Sequence, residues 1–414
     1  MLPSVGVFGG DSSAKVIISI FRKVGFTVSG VWANTREKAK ELASLIGIPF
    51  YTSRLDELLL HNDVDIVCVC GSPHQFAEVA VKALSIGKHV FCSAPAGLNL
   101  RDAEKMVSAA EYYPQLLSLL SHPLRFVKSF IQARKYVAEG YCGDLLVCEC
   151  TLHTNNIVGN KYDWHCDQSM GGGILHLYGC HIIDILSFII GERAAEAQGY
   201  LQTFVKHTKS MPTFRQITSD DFCSFHLRYP SGAHANVILN SHLPQDFNQE
   251  ILIVGTKGYL KVSNGHLYGK TNENDSKEVV FTNPNDPVKL ELLDVDYMLP
   301  EIYLQGLVSL VEGIKNAFQS TQNADRRNAD HNQIAAAANF ADGCYVRAVM
   351  DAVITSDKDG HWVRVYPQCR DKDEDSFWSH SETKQRNPIQ KNILNPNPGV
   401  VKGSPITTKR EKVK

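Results

Sequence analysis

The 414-residue sequence predicts an α/β protein: a doubly wound parallel sheet at the N-terminus, then a larger, strand-rich α+β domain. Three observations predict it. The first 120 residues alternate strand-like and helix-period segments, a glycine-rich turn follows the first strand directly, and strand-like runs dominate after residue 190. Strands separated by single helices imply right-handed crossovers and a parallel sheet. A chain this long exceeds one ordinary core, and the expected division is 1–123, 124–370 and a tail, 371–414.

Strand signals lie at Ser4–Phe8, Thr27–Ala33, Asp65–Cys70, Lys88–Cys92 and Leu116–Leu120, with a short further strand at Pro49–Thr52. Helix-period segments fall between them at Ser13–Val24, Thr35–Ile46, Gln75–Ser85 and Arg101–Tyr112. Leu124–Glu139 reads as a helix stopped by Gly140 that bridges into the second domain, which begins with the strand Asp144–His153. The turn Gly171-Gly172-Gly173 then opens an apolar helix running to about Ile190. Strands follow at Glu196–His207, Asp220–Tyr229, Ala233–Leu243, Glu250–Val254 and Tyr259–Val262. Helices near Ile302–Phe318 and Gln333–Ile354 and a last strand at Trp362–Val365 complete the domain. From Asp371 the chain turns polar and aperiodic, the composition of a disordered tail.

Composition narrows the function classes. A formal charge of -2 provides no global field for nucleic acid or an anionic membrane, and no apolar run is expected to span a bilayer. The N-terminus has no basic leader and turns at once into a glycine loop, so it reads as a first strand. Cys68 with Cys70, and Cys148 with Cys150, sit two apart in apolar strands, as buried thiols do in a reducing cytosol. The expected location is cytoplasmic. The alternative, a secreted matrix-associated protein, needs export that this N-terminus does not announce. His165, Cys166, His176, Cys180 and His181 cluster near the glycine turn, but without a Cys-x-x-Cys pair the reading is no metal.

The loop after the first strand, Gly9-Gly10-Asp11-Ser12-Ser13-Ala14, stands where a dinucleotide-binding turn needs Gly-x-Gly-x-x-Gly/Ala. Gly9 supplies the tight turn and Ala14 allows close helix–strand packing, but Asp11 holds the position where backbone must approach a diphosphate. Its carboxylate repels that group, so binding is expected to be weak or absent; the plainer reading is a good helix N-cap pointing aside. Twenty residues past Ala14, Asn34 stands where an acid would hold the ribose of NAD. Arg36 offers a guanidinium instead, which favours NADP if a dinucleotide binds; an ordinary helix start with a solvated arginine is the alternative.

Several segments together resemble the Gfo/Idh/MocA superfamily, named for glucose–fructose oxidoreductase and inositol dehydrogenase. They are Val64-Asp65-Ile66-Val67 with Gly71-Ser72-Pro73-His74 and Gly87-Lys88-His89-Val90; Gly171-Gly172-Gly173 with Gly179, His181 and Asp184; Val254-Gly255-Thr256-Lys257-Gly258; and Phe340-Ala341-Asp342-Gly343 with Trp362-Val363. The opening and Thr218–Cys223 look nearest to the animal glucose–fructose oxidoreductase domain-containing proteins. The resemblance covers about residues 3–366. It implies a Rossmann domain and a second domain whose open, mostly antiparallel sheet forms a homodimer. It also implies that nicotinamide and a small-molecule sugar would meet between the domains, with Ser72, Pro73, His74 and Pro95 lining the cofactor site.

The same resemblance exposes losses. Hydride transfer from a carbinol needs a proton acceptor and a cation near the developing alkoxide. The family's Glu-Lys-Pro triplet reads Ser93-Ala94-Pro95 here, so the ammonium is gone at Ala94. The family's Asp and His, four apart on one helix face, correspond to Leu177 and His181. His181 survives as a candidate acid or base with no evident partner, against the plainer reading of a cleft histidine bonded to an oxygen. His176 should point about 100° away and pack. Arg125 resembles the family's cationic cleft entrance and, with Tyr162, is a candidate substrate contact; for Arg125 a structural ion pair is the alternative. Two functions follow: a binding or scaffold protein that has lost catalysis, and an NADP-dependent sugar or polyol oxidoreductase using His181 with Tyr162 or Lys161.

Overall fold

The computed structural model describes residues 2–155, 157–209, 215–243, 247–272, 278–281, 299–320 and 329–366. The expected tail at 371–414 lies outside the described residues. The N-terminal sheet has six strands: β1 (Val5–Phe8), β2 (Val28–Trp32), β3 (Phe50–Thr52), β4 (Ile66–Val69), β5 (His89–Ser93) and β6 (Ser118–Ser121). Their order is β3-β2-β1-β4-β5-β6, and every pairing is parallel. β1 and β4 are buried along their whole length, as strands covered on both faces must be. The covering helices are α1 (Ser12–Val24), α2 (Arg36–Ile46), a short α3 (Leu55–Leu59) that the sequence reading missed, α4 (Phe76–Ser85) and α5 (Leu100–Tyr112). Strand order reverses between β1 and β4, which opens a crevice at their carboxyl ends.

The predicted helix 124–139 is in fact two pieces. Pro123–Phe126 forms a 3₁₀ turn, Val127 is extended, and α6 follows at Lys128–Ala138. Beyond it come β7 (Leu145–His153), α7 (Cys180–Ile190), β8 (Glu196–Gln202), β9 (Phe222–Arg228), β10 (His234–Asn240), β11 (Asn248–Gly255) and β12 (Gly258–Ser263). Two strands absent from the sequence reading, β13 (His266–Thr271) and β14 (Glu278–Phe281), extend the sheet, and β15 (Val363–Arg364) closes its other edge. The order is β14-β13-β12-β11-β7-β10-β9-β8-β15; only β7 and β10 run parallel. Along β10 buried and exposed residues alternate, so one face packs on helices and the other is open.

Two long helices bind the halves together. In α8 (Glu301–Gln319), Leu307, Leu310, Val311 and Ile314 join the core formed by Val16, Ile20 and Phe21 of α1, so residues late in the chain complete the first sheet's helical layer. The predicted helix 333–354 starts later, as α9 (Phe340–Asp359), because Asn339 and Asp342 form a reciprocal capping box. The stretch 168–190 is long and apolar enough to cross a membrane by length and composition, contrary to the sequence reading, but 78% of the 18-residue apolar window that qualifies it is buried inside the protein. It is a core segment here.

Candidate functional site

Because the first sheet is parallel, the carboxyl ends of its strands lie along one edge. That edge gathers Gly9 and Asp11 after β1, Asn34 after β2, Gly71–His74 after β4, Ala94 and Pro95 after β5, and His122 after β6. Gly9 has φ +153°, and a Cβ there would sit 2.5 Å from Cys70 Sγ, so only glycine fits the turn. Asn34 and Arg36 are exposed, with Thr35 capping α2 through its side chain.

Asp11 is the N-cap of α1. Its Oδ1 accepts the backbone N–H of Ser13 (3.1 Å) and Ala14 (3.4 Å) and the Ser13 hydroxyl. These donors and the helix dipole are what a diphosphate uses at such a turn. Asp11 Oδ2 accepts the indole N–H of Trp164 at 3.3 Å and lies 3.6 Å from where a Gly71 Cβ would be. The carboxylate thus fills the space between the helix N-terminus, Gly71 and Trp164.

Trp164 belongs to a strap, residues 163–173, reaching over from the second sheet. Its 3₁₀ turns, Trp164–Cys166 and Gln168–Met170, are capped by Asp163 and Asp167. The Cys166 carbonyl, accepting Thr218 N–H (3.0 Å), ties the strap to the loop before β9. On the crevice side, Ser72 Oγ donates to the Met170 carbonyl (2.7 Å) and bonds His74 Nδ1 (2.6 Å). Gly171 packs so closely on Pro73 that a Cβ would fall within 2.9 Å of its ring. Two predicted cofactor-site residues, Ser72 and Pro73, therefore meet this strap, and the third, His74, bonds Ser72. Tyr162, just before it, lies under the Arg215 guanidinium at 4.7 Å.

His181 has a partner that sequence reasoning missed. Its Nδ1 lies 3.2 Å from Nδ1 of His122, and the two rings meet edge to face. Tyr303 also packs against it, 5.4 Å between ring centroids. His122 is 1% exposed, whereas His181 is partly exposed. Burial, and then the Arg125 charge, lower the His122 imidazole to about 3. Burial, and then His122, lower His181 to about 3. Both are neutral near pH 7.

Behind this pair Arg125 spends its donors on protein acids. Nε and Nη2 form a fork on Asp184 (2.8 and 2.6 Å), and Nη1 reaches Asp342 (3.2 Å), which also pairs with Arg193 (3.1 Å). This is the ion-pair alternative in full geometry. Asp184 serves Arg125, and stands 3.7 Å from His122 Nδ1.

The start of the 175–190 helix also departs from expectation. Leu175–Gly179 is a π turn, so the i, i+4 stacking of Leu177 over His181 that an α-helix would give does not apply there. His176 packs as expected but also accepts a hydrogen bond at Nε2 from the fully buried Arg347 (2.9 Å). Arg347 continues to Asp351, which caps Leu100 of α5. Gly173 has φ +112°, and a Cβ there would collide with the Asp220 carboxylate that receives the Leu175 N–H.

Of the missed residues, His122 carried a usable signal: a histidine immediately after a parallel strand's carboxyl end. Trp164 carried none, because its contact with Asp11 spans 153 positions.

Comparison with known proteins fits this geometry. Residues 4–120 match the family described as oxidoreductase family, NAD-binding Rossmann fold, and residues 130–261 match the GFO/IDH/MocA C-terminal domain. Glucose-fructose oxidoreductase domain-containing protein 1 of Xenopus tropicalis is 41% identical, over 88% of this chain and 93% of its own. Protein 2 of the same name from Mus musculus is 38% identical over 94% of this chain and 99% of its own. Among solved structures, levoglucosan dehydrogenase in complex with NADH and levoglucosan superposes with a TM-score of 0.72 at 19% identity, covering 88% of this chain and 100% of that one.

Proposed function

The chain belongs to the Gfo/Idh/MocA oxidoreductase family and has its NAD-binding Rossmann fold, and we propose that its dinucleotide binding and catalysis are weak or lost, leaving a small-molecule-binding or scaffold role. One observation carries this reading: the Asp11 carboxylate already takes the Ser13 and Ala14 N–H donors at the helix N-terminus. Ala94 and Leu177, where the resemblance expects Lys and Asp, support it. A diphosphate would compete with Asp11 for these donors, which supports the reading. Calorimetric titration with NADP and NAD tests the reading. No heat of binding is expected at micromolar ligand, and micromolar binding overturns it.

The second reading, a working NADP-dependent sugar or polyol oxidoreductase with Arg36 on the 2′-phosphate, is favoured by the contact between His181 and His122, which leaves His181 a candidate acid toward a carbonyl oxygen. Levoglucosan dehydrogenase holding NADH makes cyclic sugars the panel to try first. Turnover that disappears in His181→Ala would support it.

A homodimer through the open face of the nine-stranded sheet is part of the same proposal. Tyr200 (53% exposed) and Ile238 (40% exposed) stand on that face, apolar surface that a second copy would cover. Sedimentation should give a dimer that Ile238→Lys dissociates; a wild-type monomer refutes it. A cytoplasmic location is proposed from the ten described cysteines, all buried, with export to a matrix as its alternative. Thiols found oxidised in protein isolated under alkylation would overturn it.

A further inference from the structure

Two imidazole nitrogens at hydrogen-bonding distance must divide their protons: one carries hydrogen and the other accepts. The contact between Nδ1 of His122 and Nδ1 of His181 therefore admits two neutral arrangements. In one, His122 is protonated at Nδ1 and His181 at Nε2. In the other, His181 is protonated at Nδ1 and His122 at Nε2.

The surroundings separate them. Asp184 Oδ2 lies 3.7 Å from His122 Nδ1. A nearby carboxylate favours a hydrogen over a lone pair on the nitrogen close to it, even though that hydrogen is directed at His181. His122 Nε2 is buried with no partner in either arrangement. Placing the proton there would strand a buried N–H, the rarer kind of orphan in folded proteins. Both terms put the His122 proton on Nδ1. The Arg125 fork holds Asp184 in place, so the chain of support runs Arg125, Asp184, His122, His181.

We propose that His122 is a positioning residue that fixes neutral His181 as its Nε2–H tautomer, so that His181 presents a hydrogen-bond donor to an oxygen of a bound carbonyl or sugar. His181 Nδ1 is turned to a residue that is 1% exposed, while His181 itself keeps partial exposure, so Nε2 is the ring nitrogen left to meet a ligand. In this tautomer Nε2 has no lone pair to remove a hydroxyl proton. The site is built to recognise an acceptor oxygen, and no proton transfer is needed for that. The inference goes beyond the reading above and holds whether or not a dinucleotide binds.

Nitrogen-15 NMR of histidine-labelled full-length protein at pH 7.5 tests it, with His181→Gln and His122→Phe identifying the two residues' signals. The expected wild-type pattern is His122 protonated at Nδ1 and His181 at Nε2, with the His181 Nδ1 resonance displaced by an accepted hydrogen bond. That displacement should vanish in His122→Phe, which keeps a ring but no donor, and persist in His122→Asn, whose amide can donate from the same side. A wild-type His181 protonated at Nδ1 overturns the proposal. So does a wild-type spectrum with both residues protonated at Nε2, or an unchanged His181 signal in His122→Phe. If that variant does not fold, the His122 signals are assigned from His122→Asn and the wild-type pattern decides alone.

Discussion

Replacing Asp11 with glycine should create or strengthen dinucleotide binding. The carboxylate is half-buried at the N-terminus of α1, on the donors a diphosphate would take. A unit charge about 4 Å from a phosphate costs up to about 4 kcal/mol at an effective dielectric near 20, roughly three decades in affinity. Solvent and salt reach this crevice, so the expected gain is smaller, at least about tenfold in 0.15 M salt. Two controls separate charge from bulk. Asp11→Asn keeps a capping side chain and removes the charge. Trp164→Phe keeps the strap's ring but removes the 3.3 Å indole bond to the carboxylate. Glycine at the cap costs only a few tenths of a kcal/mol, so loss of fold is not expected. The assay is calorimetry with NADP and NAD on the wild type and all three variants. Equal affinity of the wild type and Asp11→Gly for either dinucleotide refutes the reasoning, because the carboxylate would then not be the obstacle.

The buried histidines predict an acid-sensitive fold. An unfolded imidazole titrates near 6.5 and His122 near 3, so the unfolded state binds the extra proton between those values. Stability from His122 is then complete above about pH 6.5 and is lost as pH falls toward 3. At pH 5 the loss is about 2 kcal/mol, from one and a half pH units at about 1.36 kcal/mol each. Urea unfolding at pH 7 and pH 5 should show at least that difference in the wild type, because His181 is lowered to about 3 as well, and a smaller one in His122→Asn; parallel losses would remove His122 as the cause. Arg125→Ala should cost about 3–5 kcal/mol, since it leaves Asp184, 1% exposed, without its partner. A loss below about 1 kcal/mol in the same assay would mean the fork contributes little. Gly173→Ala, at φ +112° against the Asp220 carboxylate, should destabilise by at least about 1–3 kcal/mol, measured by thermal unfolding.

The local elements of the first sheet were legible because each strand and helix announces itself by period and by its own turn. The six strands appear at the predicted places, and Asp11, Thr35 and Asn99 cap their helices through side chains within a few residues. Where a cap competes with an apolar pattern the reading failed. The stretch 333–339 looked helical by composition, yet Asn339 and Asp342 start α9 at Phe340. The strands β13 and β14 were missed because a short edge hairpin buries little and leaves a weak pattern.

By itself the sequence determined the fold class, the family, and which chemical groups are present or missing at Asp11, Ala94 and Leu177. These depend on residue identity and short spacing. The tertiary structure alone decided what those groups face. Trp164 meets Asp11 across 153 positions, His122 meets His181 across 59, and Arg347 meets His176 across 171. No local period encodes such contacts, because they arise only when two sheets and a late helix pack together. The partner of His181 was therefore invisible until the chain was folded.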